Sequence, residues 1–180
     1  GDKRWNNKRK KLIIDSRKDS TTLLSDTMSK LEKKPEAFIV ASAIGYYGNR
    51  DDEELTEYSP PGDGFLTETV IQWESYADSA RNAGIRVVNT RNGIVLSAAG
   101  GALERMLLPW KMGGGGPLAG GKQWMSWISL DDEIYAIHHL MMNLDCEGAF
   151  NLTAPEPVRQ KTFSKTLGKV LRRPAFAPIP

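Results

Sequence analysis

The segment that most limits the folds open to this chain is a short, unbroken apolar run from Ala37 to Ala43, with the sequence AFIVASA. Its β-branched content and its lack of alternation predict a strand that is buried on both faces. Strands of this kind occur in parallel sheets that are covered by helices. Because parallel strands need long, usually helical crossover connections, the rest of the chain is expected to alternate between helices and strands.

The remaining sequence shows this alternation. A first helix is predicted from Asn6 to Leu31. Its buried face is expected to hold Ile13, Leu24, Met28 and Leu31. After the first strand come a helix from Phe65 that Gly84 ends, a strand over 85–96, a helix over 101–112, a strand over 123–128, a helix over 131–144, a strand over 149–152 and a helix over 160–171. The helix over 131–144 is expected to turn Ile134, Ile137, Met141 and Leu144 inward.

These elements predict an α/β protein with an open, mostly parallel, Rossmann-like sheet. Ligands of such sheets bind at the carboxyl ends of the strands. The chain nevertheless begins with a helix, and no G-x-G-x-x-G turn joins a strand to a helix anywhere in it. Either the fold does not bind a dinucleotide or its first half is missing.

The net charge and the cysteine content limit which binding partners and which cellular compartment are expected. The net charge of +2 is too small to favour nucleic acid or anionic lipid, and the basic run from Lys3 to Lys11 is interpreted as a solvated helix start. Cys146 is the one cysteine, so no internal disulfide is expected and a reducing, cytoplasmic setting fits. The longest mainly apolar run is well short of the roughly 20 residues of a membrane helix, so no membrane partner is expected.

Three local patterns look like functional motifs, but their context argues against this. The segment Gly116–Lys122 has the G-x-x-x-x-G-K spacing of a phosphate loop, yet Gln123 replaces the Ser or Thr and a strand, not a helix, is predicted next. His138 and His139 are adjacent, so on a helix they point about 100° apart and do not form a metal-binding pair. The acidic pair Asp131-Asp132 is explained by capping of a helix start. No metal site is predicted.

Two places keep a functional and a structural alternative. Arg17 falls on the predicted inward face of the first helix, where its charge needs a partner. That partner is either an anion such as a cofactor phosphate or a carboxylate of the protein, unless the side chain reaches past the edge of the core. The segment from Ser42 to Gly48 ends the first buried strand with two tyrosines, Tyr46 and Tyr47. It is either a ligand site or a tight turn whose tyrosines cover the core.

Several segments, in this order, resemble one protein family. They are Ser42–Gly48, Phe65-Leu66 with Trp73-Glu74, Arg91–Leu96, Gly100–Leu103, Met106–Pro109, Gln123-Trp124 with Trp127-Ile128 and Asp131-Asp132, and Asn151–Pro155. Together they resemble the epimerase-family, sugar-nucleotide-epimerase-like proteins among the atypical short-chain dehydrogenases/reductases of the NAD-dependent epimerase/dehydratase superfamily. The resemblance covers essentially the whole chain.

The resemblance implies a fold and a cofactor. Members begin with a βαβ unit that carries a glycine-rich NAD(P) loop, and they continue past Pro180, so the chain is expected to be truncated at both ends. Residues 1–112 are expected to be the later part of the cofactor domain, and residues 113–180 a substrate lobe. The implied cofactor is NADP, with NAD as the alternative. The implied cofactor contacts are Arg17, Ile94 and Val95.

The resemblance also implies a site, but with departures. The Tyr-x-x-x-Lys pair of the superfamily should fall near 65–70, where neither residue type occurs. The catalytic residues are then expected to be Tyr46 or Tyr47 as acid/base, with Ser42 orienting a carbonyl. One hypothesis is hydride transfer on a small polar or sugar-like substrate. The other is an NADP(H)-binding regulatory or interaction protein that has lost turnover. The oligomeric state is left open.

Overall fold

The computed structural model describes residues 6–175 of the chain, and the first three residues of the basic run, 3–5, lie outside that range. The helices are α1 (Asn7–Ser29), α2 (Phe65–Ser75), α3 (Asp78–Asn82), α4 (Gly101–Lys111), α5 (Leu130–Met142) and α6 (Gln160–Leu171). The strands are β1 (Ala37–Ala43), β2 (Arg86–Asn92), β3 (Ile94–Leu96), β4 (Trp124–Met125), β5 (Trp127–Ser129), β6 (Gly148–Leu152) and β7 (Val158–Arg159). The predicted α/β class with a mostly parallel, Rossmann-like sheet is confirmed.

The chain forms two compact units. One consists of the residues up to Arg91 together with Ile137–Asn151, and the other of Asn92–Ala136 together with the residues from Leu152 onward. The predicted functional boundary after residue 112 is therefore not a boundary between compact units. The assignment of cofactor binding and substrate binding to residues 1–112 and 113–180 stays a prediction.

The first unit is built around a three-stranded sheet in the order β1-β2-β6. Helices α2 and α3 divide what the sequence predicts as one helix, and Gly84, with a φ of +83°, follows them. The core of this unit is apolar: Val40, Ala77, Ala80, Ile85 and Val87, packed against Met28, Phe38 and Trp73. These residues fix the sheet against the helices that follow β1 in sequence.

The predicted burial of β1 on both faces is wrong for the described residues. Val40 and Ser42 are buried, whereas Ala41 between them is exposed. Successive side chains of a strand point to opposite faces. Within residues 6–175, one face of β1 is therefore covered near its end and the other is not.

The predicted buried face of α1 is only partly correct, because Met28 packs against the core but two of the predicted leucines do not. Leu24 and Leu31 are exposed, and the helix instead buries Thr21 and Ser25. The hydroxyl of Thr21 accepts a hydrogen bond from the indole of Trp73, and the Ser25 hydroxyl accepts one from the backbone N–H of Ala80. Small polar side chains that are hydrogen-bonded can thus occupy a helix contact that hydrophobic periodicity assigns to leucines.

The second unit contains two small strand pairs. Strands β3 and β5 are parallel, with Ile94 opposite Trp127, and β4 and β7 are antiparallel. The glycine-rich stretch before β4 is held by α6, because the Gln160 side chain accepts a hydrogen bond from the N–H of Leu118 and donates one to Ser164, whose hydroxyl donates to the Gly116 carbonyl. A short 3-10 turn and then β4 follow it. This stretch therefore lacks the strand-to-helix geometry of a phosphate loop.

Helix α5 differs from its prediction in the same way as α1. Ile134, Met141 and Leu144 are exposed, while Glu133 and Leu140 are buried. The start of α5 is capped by Ser129, whose hydroxyl accepts the N–H of Asp132 and donates to the Asp132 carboxylate. No helix within residues 6–175 is long and apolar enough to cross a membrane.

Glu133 gives a prediction about stability. Its side chain is only 5% exposed, one carboxylate oxygen lacks a hydrogen-bond partner, and burial raises the pKa of Glu133 above its ordinary value. The folded state therefore holds the proton more tightly than the unfolded state, and this group lowers stability as the pH rises through the ordinary glutamate range of about 4.3 and above.

We expect Glu133→Gln to raise Tm at pH 7 and to leave Tm unchanged in acid, below that range. The matched control is Glu104→Gln in α4, because Glu104 is exposed. Thermal unfolding followed by circular dichroism at both pH values checks this. An equal Tm for parent and Glu133→Gln at pH 7 would contradict the cost assigned to the buried carboxyl.

Candidate functional site

Three polar residues stand at equivalent positions in the three strands of the first unit. Ser42, Arg91 and Asn151 are each the penultimate residue of their strand, in β1, β2 and β6 respectively. Hydrogen bonds through one glutamate and one tyrosine join all three, so they meet at one edge of the sheet. The carboxyl ends of strands are where α/β sheets bind their ligands.

Arg91 is at the centre of this network. Its Nε and Nη2 atoms donate to the two carboxylate oxygens of Glu74 in α2 at 2.9 and 3.0 Å. The side chains of Arg91 and Glu74 are 6% and 13% exposed. Paired N–H donors that face both carboxylate oxygens give the strong, planar form of this ion pair, which fixes the plane of the guanidinium.

The charge on Arg91 is secure despite its burial. Burial by itself disfavours the charged form, but the hydrogen bonds to Glu74 and Tyr47 and the opposite charge of Glu74 more than offset it and raise the pKa of Arg91 above its ordinary value. The surroundings of Arg91 therefore favour its charged form.

Tyr47 is held in the network by hydrogen bonds on both sides of its hydroxyl group. It is 3% exposed, its hydroxyl donates to Oδ1 of Asn151 at 2.6 Å, and it accepts from Nη1 of Arg91 at 3.0 Å. Glu57 adds a link from the loop that follows the tyrosines, because its carboxylate accepts the backbone N–H of Asn151 at 2.8 Å. The hydroxyl of Tyr47 is thus engaged on both sides.

The turn that carries the tyrosines depends on two glycines. Gly48 has a φ of +67°, a conformation that favours glycine. Gly62 donates its N–H to the Tyr46 carbonyl at 3.1 Å and lies so close to Tyr47 that an added Cβ would overlap the Tyr47 carbonyl. The loop between these glycines is therefore closed tightly on the tyrosine pair.

Tyr46 has different surroundings from its neighbour. It is half-buried, and within residues 6–175 its hydroxyl makes no hydrogen bond. The guanidinium of Arg91 lies 3.5 Å from the centroid of its ring, and the Tyr47 ring meets it edge-on, with centroids 5.2 Å apart. The ring is held on two sides while the hydroxyl remains available.

Ser42 lies in the same cluster, but its hydroxyl is already hydrogen-bonded to the protein. It is 4% exposed, and its hydroxyl donates to Glu74 at 2.6 Å. To orient a substrate carbonyl, this hydroxyl has to leave Glu74. Ser42, Tyr46 and Tyr47 thus lie in one cluster, and their catalytic roles stay predictions.

Arg17 lies in α1, apart from this network. Its guanidinium lies 4.9 Å from the ring centroid of Trp73 and donates to the Ile13 carbonyl and the Ser16 hydroxyl. Among the described residues it forms no ion pair with a carboxylate. Its structural alternative, pairing with a carboxylate of the protein, is not found there, and its contact with a cofactor stays a prediction.

Ile94 and Val95 belong to the second unit. Both are half-buried in β3, and the N–H of Ile94 donates to the Ser126 carbonyl at 2.8 Å. Gly93, just before them, packs against Ser126 so closely that a Cβ there would overlap its backbone. Ile94 and Val95 offer apolar surface and backbone groups only, and their contact with a cofactor stays a prediction.

Four residues of the network were not singled out as site residues from the sequence: Glu57, Glu74, Arg91 and Asn151. A signal for Arg91 was present, because a charge inside a strand that also contains Val87 and Val88 requires a buried partner. Asn151 carried no such signal, since it lies 104 residues from Tyr47. No group of three or more His, Cys, Asp or Glu side chains that could hold a metal ion occurs within the part of the chain that the structure describes.

The chain was compared with protein families, with curated proteins and with solved structures. No protein-family model matches the sequence. An epimerase family protein of Staphylococcus epidermidis is 43% identical over 173 residues, which are 96% of this chain and 58% of that protein. The crystal structure of the human epimerase family protein SDR39U1 with NADPH matches with a TM-score of 0.92 and 34% identity, over 99% of this chain and 60% of that one. A nucleoside-diphosphate sugar epimerase of Corynebacterium glutamicum matches with a TM-score of 0.82 and 33% identity, over 99% of this chain and 39% of that one.

The solved structures that share this α/β fold include members of the NAD-dependent epimerase/dehydratase superfamily. Over nearly its whole length, the chain is similar to proteins named epimerase family proteins, as the resemblance in the sequence implied. It spans less than two thirds of the length of the relatives named above.

Proposed function

We propose that the whole protein binds NADP(H), with NAD(H) as the alternative, and transfers hydride between this cofactor and a small polar or sugar-like carbonyl or alcohol substrate. The observation that carries the proposal is the network at the three strand ends, which leaves the Tyr46 hydroxyl free. The human relative that was solved with NADPH supports the choice of cofactor.

The described residues fit such a cofactor. Arg17 is a cation without a carboxylate partner among them, which suits an anionic group of a dinucleotide. Ile94 and Val95 would supply backbone and apolar surface for the nicotinamide end. When bound, the reduced cofactor supplies the hydride, with its electron pair, to the carbonyl carbon.

The chain itself then supplies the proton. In the reductive direction, we assign the donation of a proton from the Tyr46 hydroxyl to the carbonyl oxygen, because Tyr46 is the member of the pair whose hydroxyl is not already hydrogen-bonded within the protein. Tyr47 and Ser42 support the site by holding Asn151 and Glu74. The products are an alcohol and the oxidised cofactor.

A test of this function uses the whole protein at the length of its relatives, with NADPH oxidation recorded over a panel of carbonyl substrates. We expect Tyr46→Phe to lower kcat by about a hundredfold, the lower end of what a general acid contributes. Tyr58→Phe is the matched control, since Tyr58 is 97% exposed on the following loop. Full activity of the Tyr46→Phe protein would place the acid elsewhere.

A second function has its own support. The hydroxyls of both Ser42 and Tyr47 are buried and already donate to protein acceptors, and no Tyr-x-x-x-Lys pair is present near residues 65–70. These features favour an NADP(H)-binding regulatory or interaction protein without turnover. Tight NADPH binding by calorimetry, with no turnover over the whole carbonyl panel, would select this alternative.

The role of Arg17 gives a separate prediction that both functions share. In the whole protein, Arg17→Ala is expected to weaken NADPH binding by about 1.5–3 kcal/mol, the range for a hydrogen bond between charged groups. Lys18→Ala is the control, because Lys18 is the exposed neighbouring cation on the same helix. If calorimetry gives the same affinity for both variants and the parent, Arg17 has a structural role through Trp73.

A further inference from the structure

The two consecutive tyrosines, Tyr46 and Tyr47, differ in burial and in the hydrogen bonding of their hydroxyl groups. Tyr47 is buried with its hydroxyl engaged twice, whereas Tyr46 is half-buried with its hydroxyl free among the described residues. Arg91 touches both, because it donates to the Tyr47 hydroxyl and stacks on the Tyr46 ring. One guanidinium therefore contacts both tyrosines, the hydroxyl of Tyr47 and the ring of Tyr46.

Glu74 determines where that guanidinium lies. Because the two Arg91–Glu74 hydrogen bonds engage both carboxylate oxygens, the guanidinium cannot rotate without losing them. The carboxylate is held in turn by the Ser42 hydroxyl. The Tyr46 ring lies against this fixed guanidinium of Arg91, and the contact limits the orientations that the ring can adopt.

We propose that Arg91, oriented by Glu74, is a positioning residue that fixes the Tyr46 ring with its hydroxyl free for a substrate and reserves the Tyr47 hydroxyl for the protein. The inference rests on the proposed function in one respect, namely that Tyr46 is the acid. It assigns a role to a pair of residues that lies outside the predicted catalytic set of Ser42, Tyr46 and Tyr47.

A double substitution distinguishes an ion pair that only stabilises the fold from one that positions the Tyr46 ring. Buried ion pairs can often be replaced by apolar side chains of similar volume without loss of stability. In the double variant Glu74→Leu/Arg91→Met the fold is therefore expected to survive, with a Tm near that of the parent. If the pair is only structural, the tyrosines should behave as before in this variant.

The first readout does not need activity. The whole protein is treated with tetranitromethane, and nitration of each tyrosine is followed by mass spectrometry, with the exposed Tyr58 as the internal reference. In the parent, nitration is expected at Tyr46 and Tyr58 but not at Tyr47. In the double variant, nitration of Tyr47 relative to Tyr58 is expected to rise about tenfold, the factor for the loss of one hydrogen bond to a charged group.

The second readout is kinetic. The double variant is expected to lose kcat while its NADPH affinity by calorimetry is unchanged, because neither replaced residue is among the proposed cofactor contacts. An unchanged nitration pattern in a folded double variant overturns the proposal, as does an unchanged kcat. A parent protein without turnover refutes the proposed function alone, since the nitration pattern still reports the positioning of the tyrosines.

Should the double variant fail to fold, Arg91→Lys takes its place. Lysine keeps the charge next to Glu74 but lacks the planar fork that stacks and donates in several directions. We expect this variant to fold and to lose the difference in nitration between Tyr46 and Tyr47. Retention of the parental difference in Arg91→Lys overturns the proposal.

Discussion

Replacing Arg91 alone with methionine is expected to lower the free energy of unfolding by about 3–5 kcal/mol, the cost of removing one partner of a buried ion pair. The reason is Glu74, whose side chain is only 13% exposed and would lose the opposite charge and the two hydrogen bonds that Arg91 provides. The hydrogen bond from Arg91 to Tyr47 is lost as well. Urea unfolding followed by circular dichroism measures the change.

The control for this substitution is Arg81→Met. Arg81 forms an ion pair with Asp78, three residues earlier in the same helix, but both side chains are substantially exposed, at 36% and 53%. Exposed pairs contribute about 0–1 kcal/mol, so this variant should unfold close to the parent. Equal losses for Arg81→Met and Arg91→Met would contradict the view that burial gives the Arg91 pair its importance.

The second large effect is expected in the other compact unit. Trp110 of α4 is 1% exposed, and two glycines, Gly115 and Gly168, pack against its ring so closely that a Cβ at either would overlap it. Trp110→Ala should therefore lower the free energy of unfolding by about 3–5 kcal/mol, because it leaves a cavity that close-packed neighbours cannot fill.

Leu108→Ala is the matched control for Trp110→Ala. Leu108 is an apolar residue of the same helix, but it is 64% exposed. A substitution at such a surface position usually changes stability by no more than about 0.5 kcal/mol. If thermal unfolding gave similar losses for both variants, the packing of the two glycines against Trp110 would not be a main source of stability in this unit.

The order of helices and strands could be predicted because it depends on local patterns. The run from Ala37 to Ala43 corresponds to β1, and the predicted last helix corresponds to α6. The faces of the helices could not be predicted in this way. Hydrophobic periodicity placed Leu24 inward, whereas Thr21 and Ser25 are buried because they form hydrogen bonds to other helices.

Only the part of the candidate site that lies in one short segment could be proposed from the sequence. Ser42 and the two tyrosines lie within six residues of one another, so the end of one predicted strand was enough to propose them. Glu74 and Asn151 come from distant parts of the chain, and only the pairing of the strands brings them to Arg91. Which distant residues meet depends on the order in which the strands pair, and no single segment of the sequence specifies this order.

The penultimate placement of Ser42, Arg91 and Asn151 also bears on how the sheet assembles. A slip of one residue in strand register turns every side chain to the opposite face. In β1 such a slip would present Ala41 or Ala43 in place of Ser42, and neither can donate to Glu74. The complete network therefore forms only when all three strands have this register, and a sheet with a shifted strand would lack part of its hydrogen bonds.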